Sequence, residues 1–133
     1  MTTDASVVLD TSVLIDLEHL DLSRFSAARP VVSAVTVAEL AFGLDTDDLL
    51  ERQARTDRFY AVLREMPVLA FDLAAARLYG TLAATVRRSG RNPRPRRMDL
   101  QIAATAGAHA MPLITRNPAD FTGLDRLVEV VAA

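Results

Sequence analysis

The sequence contains no cysteine and only two histidines, His19 and His109, which stand alone. Neither a disulfide framework nor a zinc site of thiolates and imidazoles can be assembled from that stock, so any bound metal has to be held by oxygen. Lysine is missing too, since all fifteen cationic side chains are arginine. That excludes Schiff-base chemistry and the phosphate-binding loop built around a lysine. It also argues against phosphoacceptor receiver domains and haloacid-dehalogenase-like phosphatases, which set a lysine near an acyl phosphate. The phosphatases further want a second aspartate two residues on, where this chain reads Asp10-Thr11-Ser12. No apolar run approaches the roughly 18 residues of a spanning helix. The acidic, polar start Met1-Thr2-Thr3-Asp4 lacks the basic and apolar regions of a signal peptide, so the expected location is the cytoplasm, away from membranes.

What is present is 133 residues, half of them hydrophobic, which predicts one compact domain over residues 1–133 with a substantial core. Ser6 to Leu9 read as a buried strand, followed by Asp10-Thr11-Ser12 as the cap of a helix running to about Glu18. Pro30 to Ser33 read as a second strand. Thr36 and Glu39 have the spacing of a capping box, which predicts a helix from there to Gly43. A polar helix is expected over Asp47 to Arg64 and a third strand over Pro67 to Phe71. Asp72 then caps a helix with apolar residues at Ala75, Leu78, Tyr79, Leu82 and Val86, ending near Ser89-Gly90. Gly90 to Pro95 form a loop, and the next helix carries Ala103, Ala104, Ala106 and Gly107, small residues suited to close packing. Pro112 to Thr115 give a fourth strand, Asn117 to Phe121 a short turn, and Leu127 to Val131 a last strand. This alternation implies an α/β fold, a three-layer α/β/α sandwich with a mainly parallel sheet.

In such folds ligands collect beyond the carboxyl ends of the strands. Asp10 lies at such an end, and helix starts carry Glu39 and Asp99 to the same region, which outlines a divalent-metal site. Each has a purely structural reading: Asp10 as a helix cap, Glu39 as the partner in its capping box, Asp99 as a charge favoured at a helix start. Net charge is only −2, but it is unevenly spread. Between Asp72 and Asp99 there is no acid, and Arg87 to Arg97 hold six arginines in eleven residues, Arg87, Arg88, Arg91, Arg94, Arg96 and Arg97. That segment reads either as a solvated loop or as a phosphate clamp, because guanidinium forks grip phosphate in two-pronged fashion. His19 and His109 read as surface or helix-end residues, Asp16 and Glu18 as a solvated helix face, and Phe59, Tyr60 and Tyr79 as packing residues.

Four segments together carry a family resemblance: Val8-Leu9-Asp10-Thr11-Ser12-Val13-Leu14-Ile15, Ser33-Ala34-Val35-Thr36-Val37-Ala38-Glu39-Leu40 with Gly43, Arg97-Met98-Asp99-Leu100-Gln101-Ile102-Ala103-Ala104-Thr105-Ala106, and Leu113-Ile114-Thr115-Arg116-Asn117-Pro118-Ala119-Asp120-Phe121. In order and separation they resemble a PIN domain, and more narrowly the VapC-type toxins of bacterial toxin–antitoxin pairs. The resemblance covers nearly the whole chain. It implies a ribonuclease dependent on Mg2+ or Mn2+, with Asp10, Glu39 and Asp99 as metal-ligating, catalytic acids. At the place where the family often has a fourth acid this chain has Asn117, a weaker ligand, with Asp120 as the alternative. Ser12 and Thr115 resemble hydroxyls lining the same pocket, and the arginines of the 87–97 segment together with Arg116 are expected to bind RNA phosphates.

The resemblance further implies a homodimer held inactive by a cognate VapB-like antitoxin, whose helix or tail would use apolar surface on the first helix and on the helix from Leu49-Leu50 to Leu63. Two other readings stay open: a housekeeping PIN ribonuclease of RNA maturation, and a catalytically weak PIN-like module that holds RNA.

Overall fold

The computed structural model describes residues 5–133. Strand β1 (Ser6–Leu9) lies at the centre of a five-stranded sheet, where Val7, Val8 and Leu9 are buried. It is flanked on one side by β2 (Arg29–Ser33) and beyond that β3 (Val68–Leu69), and on the other by β4 (Leu113–Thr115) and β5 (Val130–Ala132). All four pairings are parallel. The chain therefore runs outward from β1 through β2 to β3, then returns to the opposite side of β1. That reversal opens a crevice at the carboxyl ends of β1 and β4.

Parallel strands need crossovers, and the helices supply them on both faces. Val8 and Val31 face the layer formed by α4 (Leu73–Arg88) and α5 (Arg97–Ala108), packing with Leu82, Val86, Leu100 and Ile102. Val7, Leu9 and Val32 face the other way, toward Val13 and Leu14 of α1 (Thr11–Ile15) and Val62 of α3 (Leu49–Glu65). Successive residues of a strand point to opposite faces, so this split follows from the pleat and yields the three-layer sandwich that the sequence implies. Among the described residues no helix is long and apolar enough to cross a membrane.

Several element boundaries differ from the sequence reading. Helix α1 stops at Ile15 rather than near Glu18, because burial ends at Leu14, and Leu17–His19 continue as a single 3-10 turn. Helix α2 (Ala34–Phe42) begins two residues before Thr36, since β2 feeds into it without a loop. Its cap is Ser33, whose Oγ accepts from the Val35 N–H at 3.0 Å, so Thr36 and Glu39 form no capping box. Asp48, not Asp47, caps α3 by accepting from Leu50 and Glu51. At the sheet edges β3 keeps only two residues, and Leu127 and Val128 bond back to the Leu124 carbonyl, which delays β5 to Val130. Tyr79 packs edge-on against Phe71, and Tyr60, though exposed, packs edge-on against Phe59, as expected.

Gly107 lets α5 approach its neighbours. A Cβ there would stand 2.6 Å from Leu78 Cδ2 of α4, 2.9 Å from Val128 Cγ2 and 3.0 Å from the Leu127 carbonyl oxygen. Helix propensity alone favours alanine over glycine by about 1 kcal/mol, whereas overpacking costs about 1–3 kcal/mol. We expect Gly107→Ala to lower the melting temperature. A rise in chemical-denaturation midpoint would refute the tight approach.

Candidate active site

At the carboxyl end of β1 the chain turns into α1 through Asp10, which is buried and caps the helix. Its Oδ1 accepts from the Thr11 N–H at 3.0 Å. Its Oδ2 accepts from two hydroxyls, Ser12 and Thr115, each at 2.8 Å. The Thr115 hydroxyl reaches across from the end of β4, and its oxygen in turn accepts from the Asn117 N–H at 3.1 Å. Ser12 Oγ likewise accepts from the Arg116 N–H at 3.2 Å. Both hydroxyl protons are thus committed to Asp10, and the 3.5 Å approach of Ser12 to Thr115 is contact between two oxygens with no proton between them. Three donors to one buried carboxylate satisfy it in its charged form and fix its direction.

Glu39 is brought in by α2. The Thr11 hydroxyl donates to Glu39 Oε1 at 2.7 Å and lies 3.1 Å from Thr36 Oγ1. Thr36 and Glu39 share a helix face at i, i+3 spacing, and that spacing serves Thr11 rather than a cap. Thr11 itself is a residue the sequence does not single out, because a threonine after Asp10 reads only as part of a helix start. The signal lies in the pairing of Thr36 with Glu39, and it becomes legible only once α1 and α2 are side by side.

Asp99 sits in the first turn of α5, half-buried. Burial, and then the negative charges of Asp10, Glu39 and Asp120, raise its carboxyl from 3.8 to about 6, while Arg96 opposes the rise. The other two sequence-predicted acids, Asp10 and Glu39, thus both act on Asp99, and Asp120 joins them. Asp120 stands in the 3-10 turn Pro118–Phe121 and is ion-paired with Arg96. Asn117 precedes that turn with its side chain exposed. Among the described residues no three acidic or histidine side chains are gathered tightly enough to enclose a cation. The donor set is nonetheless all hard oxygen, from carboxylates and hydroxyls, and Mg2+ or Mn2+ suits an open cluster of this kind because it retains water.

The arginines divide into two groups. Arg87 and Arg88 form the last turn of α4, Arg94 and Arg96 belong to the 3-10 turn Arg94–Arg96, and Arg97 opens α5, so the segment is not a single loop. Arg91 donates to the Thr122 carbonyl at 2.9 Å, Arg96 pairs with Asp120, and Arg116 pairs with Asp16. Asp16 is thereby a half-buried partner, not part of a solvated face. Arg87, Arg88, Arg94 and Arg97 have no side-chain partner among the described residues.

The PIN domain family model matches residues 7–127. The chain belongs to the PIN domain family. This PIN domain is 38% identical to Ribonuclease VapC5 of Mycobacterium tuberculosis over 135 residues, covering 97% of the chain and 95% of that relative. It is 35% identical to VapC ribonuclease Y4jK of Sinorhizobium fredii over 133 residues, covering 90% and 94%. Among solved structures it is similar to a member of the VapBC family of toxin–antitoxin systems, VapBC-5 from Mycobacterium tuberculosis. There the TM-score is 0.78 at 35% identity, with 96% of this chain and 97% of that one covered.

The raised Asp99 carboxyl carries a signed consequence for the PIN fold. A folded-state value of about 6 against an ordinary 3.8 means that folding takes up a proton between those values. The contribution to stability is fully present below pH 3.8 and is lost as the pH climbs through about 6. Because Asp99 is only half-buried, the loss at neutral pH is discounted for solvent screening to the order of 1 kcal/mol. In chelator-treated protein, Asp99→Asn is expected to raise the melting temperature at neutral pH and to flatten this acid-side slope. Melts at stepped pH would contradict this if the variant matched wild type throughout.

Proposed function

We propose that this chain is the toxin of a type II toxin–antitoxin pair, a Mg2+- or Mn2+-dependent ribonuclease that hydrolyses RNA phosphodiester bonds. The observation that carries the reading is the convergence on Asp99 of charge from Asp10, Glu39 and Asp120 at the crevice between β1 and β4. It is supported by relatives named as VapC ribonucleases and by likeness to a VapBC structure.

Asp10, Glu39 and Asp99 would hold the cation. Of the two candidates for a fourth oxygen ligand, we favour Asp120, which is partly buried and close enough for its charge to act on Asp99, over the neutral, exposed Asn117. When bound, the cation supplies Lewis-acid neutralisation of charge on the phosphate undergoing hydrolysis. The chain's own residues do the rest. Ser12 and Thr115 donate to Asp10 and keep it aimed, and Thr11 orients Glu39 beside it. Asp99, its carboxyl raised to about 6 by burial and by its acidic neighbours, would give up its proton as the cation is taken up. The unpartnered arginines Arg87, Arg88, Arg94 and Arg97 grip the RNA backbone, which adds affinity without reading bases.

A VapB-like antitoxin and a second copy of the chain complete the proposal. An apolar helix of an antitoxin would enter a cavity of about 460 Å³ between α1 and α3, lined by Leu14, Ile15, Leu17, Ala61, Val62 and Met66 together with the charged Glu18, Asp57, Arg58 and Glu65.

Incubation of the purified protein with structured RNAs tests the chemistry. Cleavage in Mn2+ is expected to vanish with EDTA and in Asp10→Asn, and to fall on the order of tenfold in Thr115→Ala, which loosens Asp10. Cleavage indifferent to chelator would sink the metal-nuclease reading, and binding without cleavage would favour an RNA-holding module. Replacing Arg87, Arg88, Arg94 and Arg97 by glutamine is expected to weaken RNA binding and to make it less steep in salt. Filter binding across a salt series that gave an unchanged slope would remove these four from the interface.

A further inference from the structure

The arginine segment is tied to the acidic centre at two points. Arg91 donates to the Thr122 carbonyl at 2.9 Å, and Arg96 pairs with Asp120, so the segment grips the 118–122 turn at its middle and at its far end. Neither side of this clasp is loose. The Arg96 backbone is fixed by its N–H on the Pro93 carbonyl at 3.0 Å, immediately before α5, and the Asp120 turn is anchored by buried Phe121. Among the described residues, Arg96 is also the cation whose charge opposes those of three acids at Asp99. Its guanidinium remains about half-exposed, so solvent and other anions can reach it.

We propose that Arg96 is a resident counter-cation of the acidic centre, holding Asp120 until a divalent cation takes the carboxylates and then turning its guanidinium to a backbone phosphate of RNA. This rests on the metal-dependent RNA-binding reading above. Arginine suits the exchange because the same planar fork fits a carboxylate and a phosphate, so one partner replaces the other without loss of geometry. An ion pair this exposed is weak, and a cation that draws Asp120 inward displaces it readily. The two ligands then help one another. Metal frees the arginine for phosphate, phosphate keeps the arginine off Asp120, and by linkage each must tighten the other by the same factor.

Isothermal titration with Mn2+, alone and in the presence of a phosphorothioate oligouridylate that resists cleavage, tests the exchange on the full chain. In wild type each ligand is expected to tighten the other severalfold. Arg96→Gln is expected to bind Mn2+ about threefold more tightly by itself, to bind the oligonucleotide less well, and to lose the mutual enhancement. Arg96→Lys, which keeps charge without the fork, should retain ordinary Mn2+ affinity and recover only part of the enhancement. Arg88→Gln should weaken oligonucleotide binding while leaving Mn2+ affinity and the enhancement intact, which separates the clasp from general basicity. If Arg96→Gln leaves Mn2+ affinity and enhancement unchanged, or weakens Mn2+ binding, the exchange is overturned while the metal site stands. If wild type binds no Mn2+ that Asp10→Asn abolishes, the metal reading fails and the exchange fails with it.

Discussion

Asp10 is a buried carboxylate whose charge is tolerated because a backbone N–H and two hydroxyls point at it, and those donors come from both walls of the crevice. Stripped of those donors, a charged group buried to this degree would be costly. The requirement that Thr115 and Ser12 meet at Asp10 fixes how the end of β4 sits against the start of α1. The Arg116 and Asn117 N–H groups, accepted by the same two hydroxyls, then set the course of the chain toward Asp120. Glu39 is tied in through Thr11, the neighbour of Asp10. One satisfied carboxylate thus organises three of the four acids, and only Asp99 arrives by a separate route, on α5.

That separate route depends on packing rather than on hydrogen bonds at the site. Helix α5 is seated by the small-residue contact at Gly107 and by the buried Ser33 and Thr105 hydroxyls, which stand 3.1 Å apart between β2 and α5. Thr105 donates onward to the Gln101 carbonyl at 2.9 Å, two residues beyond Asp99. The position of Asp99 is therefore set by the core, and its raised carboxyl is the cost first of burying it and then of bringing like charges to one place. A divalent cation offsets that cost, which makes the strain and the proposed chemistry two aspects of one arrangement.

Much of this was legible in the sequence because the informative features are local. A β-branched run ending in aspartate, alternating strands and helices, and small residues along one helix are each read within a dozen positions, and they specify a parallel sandwich with acids at the strand ends. The start of α2 was not legible because Ser33 ends β2 and caps α2 at once, so the stronger-looking capping spacing at Thr36 and Glu39 pointed to the wrong residue. The partners of Arg91, Arg96 and Arg116 were not legible either. Their acceptors lie 24 or more positions away, at Thr122, Asp120 and Asp16, and nothing in a charge run says which of its members will find a partner. Position along the chain likewise says nothing of whether Asp120 turns inward to bring its charge to the centre, since a single turn after Pro118 decides it.

The central place of β1 has a temporal meaning. It precedes the other described strands in the sequence, yet one of its two neighbours is β4, and the Thr115 hydroxyl that completes the setting of Asp10 follows that residue by 105 positions. Contacts of that separation are among the last to form in a growing chain. Asp10 and Glu39 leave the ribosome before Asp99 and β4, and until those follow they have no Asp99 to face and no fourth strand against which to be oriented. The order of the strands thus ties assembly of the candidate centre to the arrival of its C-terminal half.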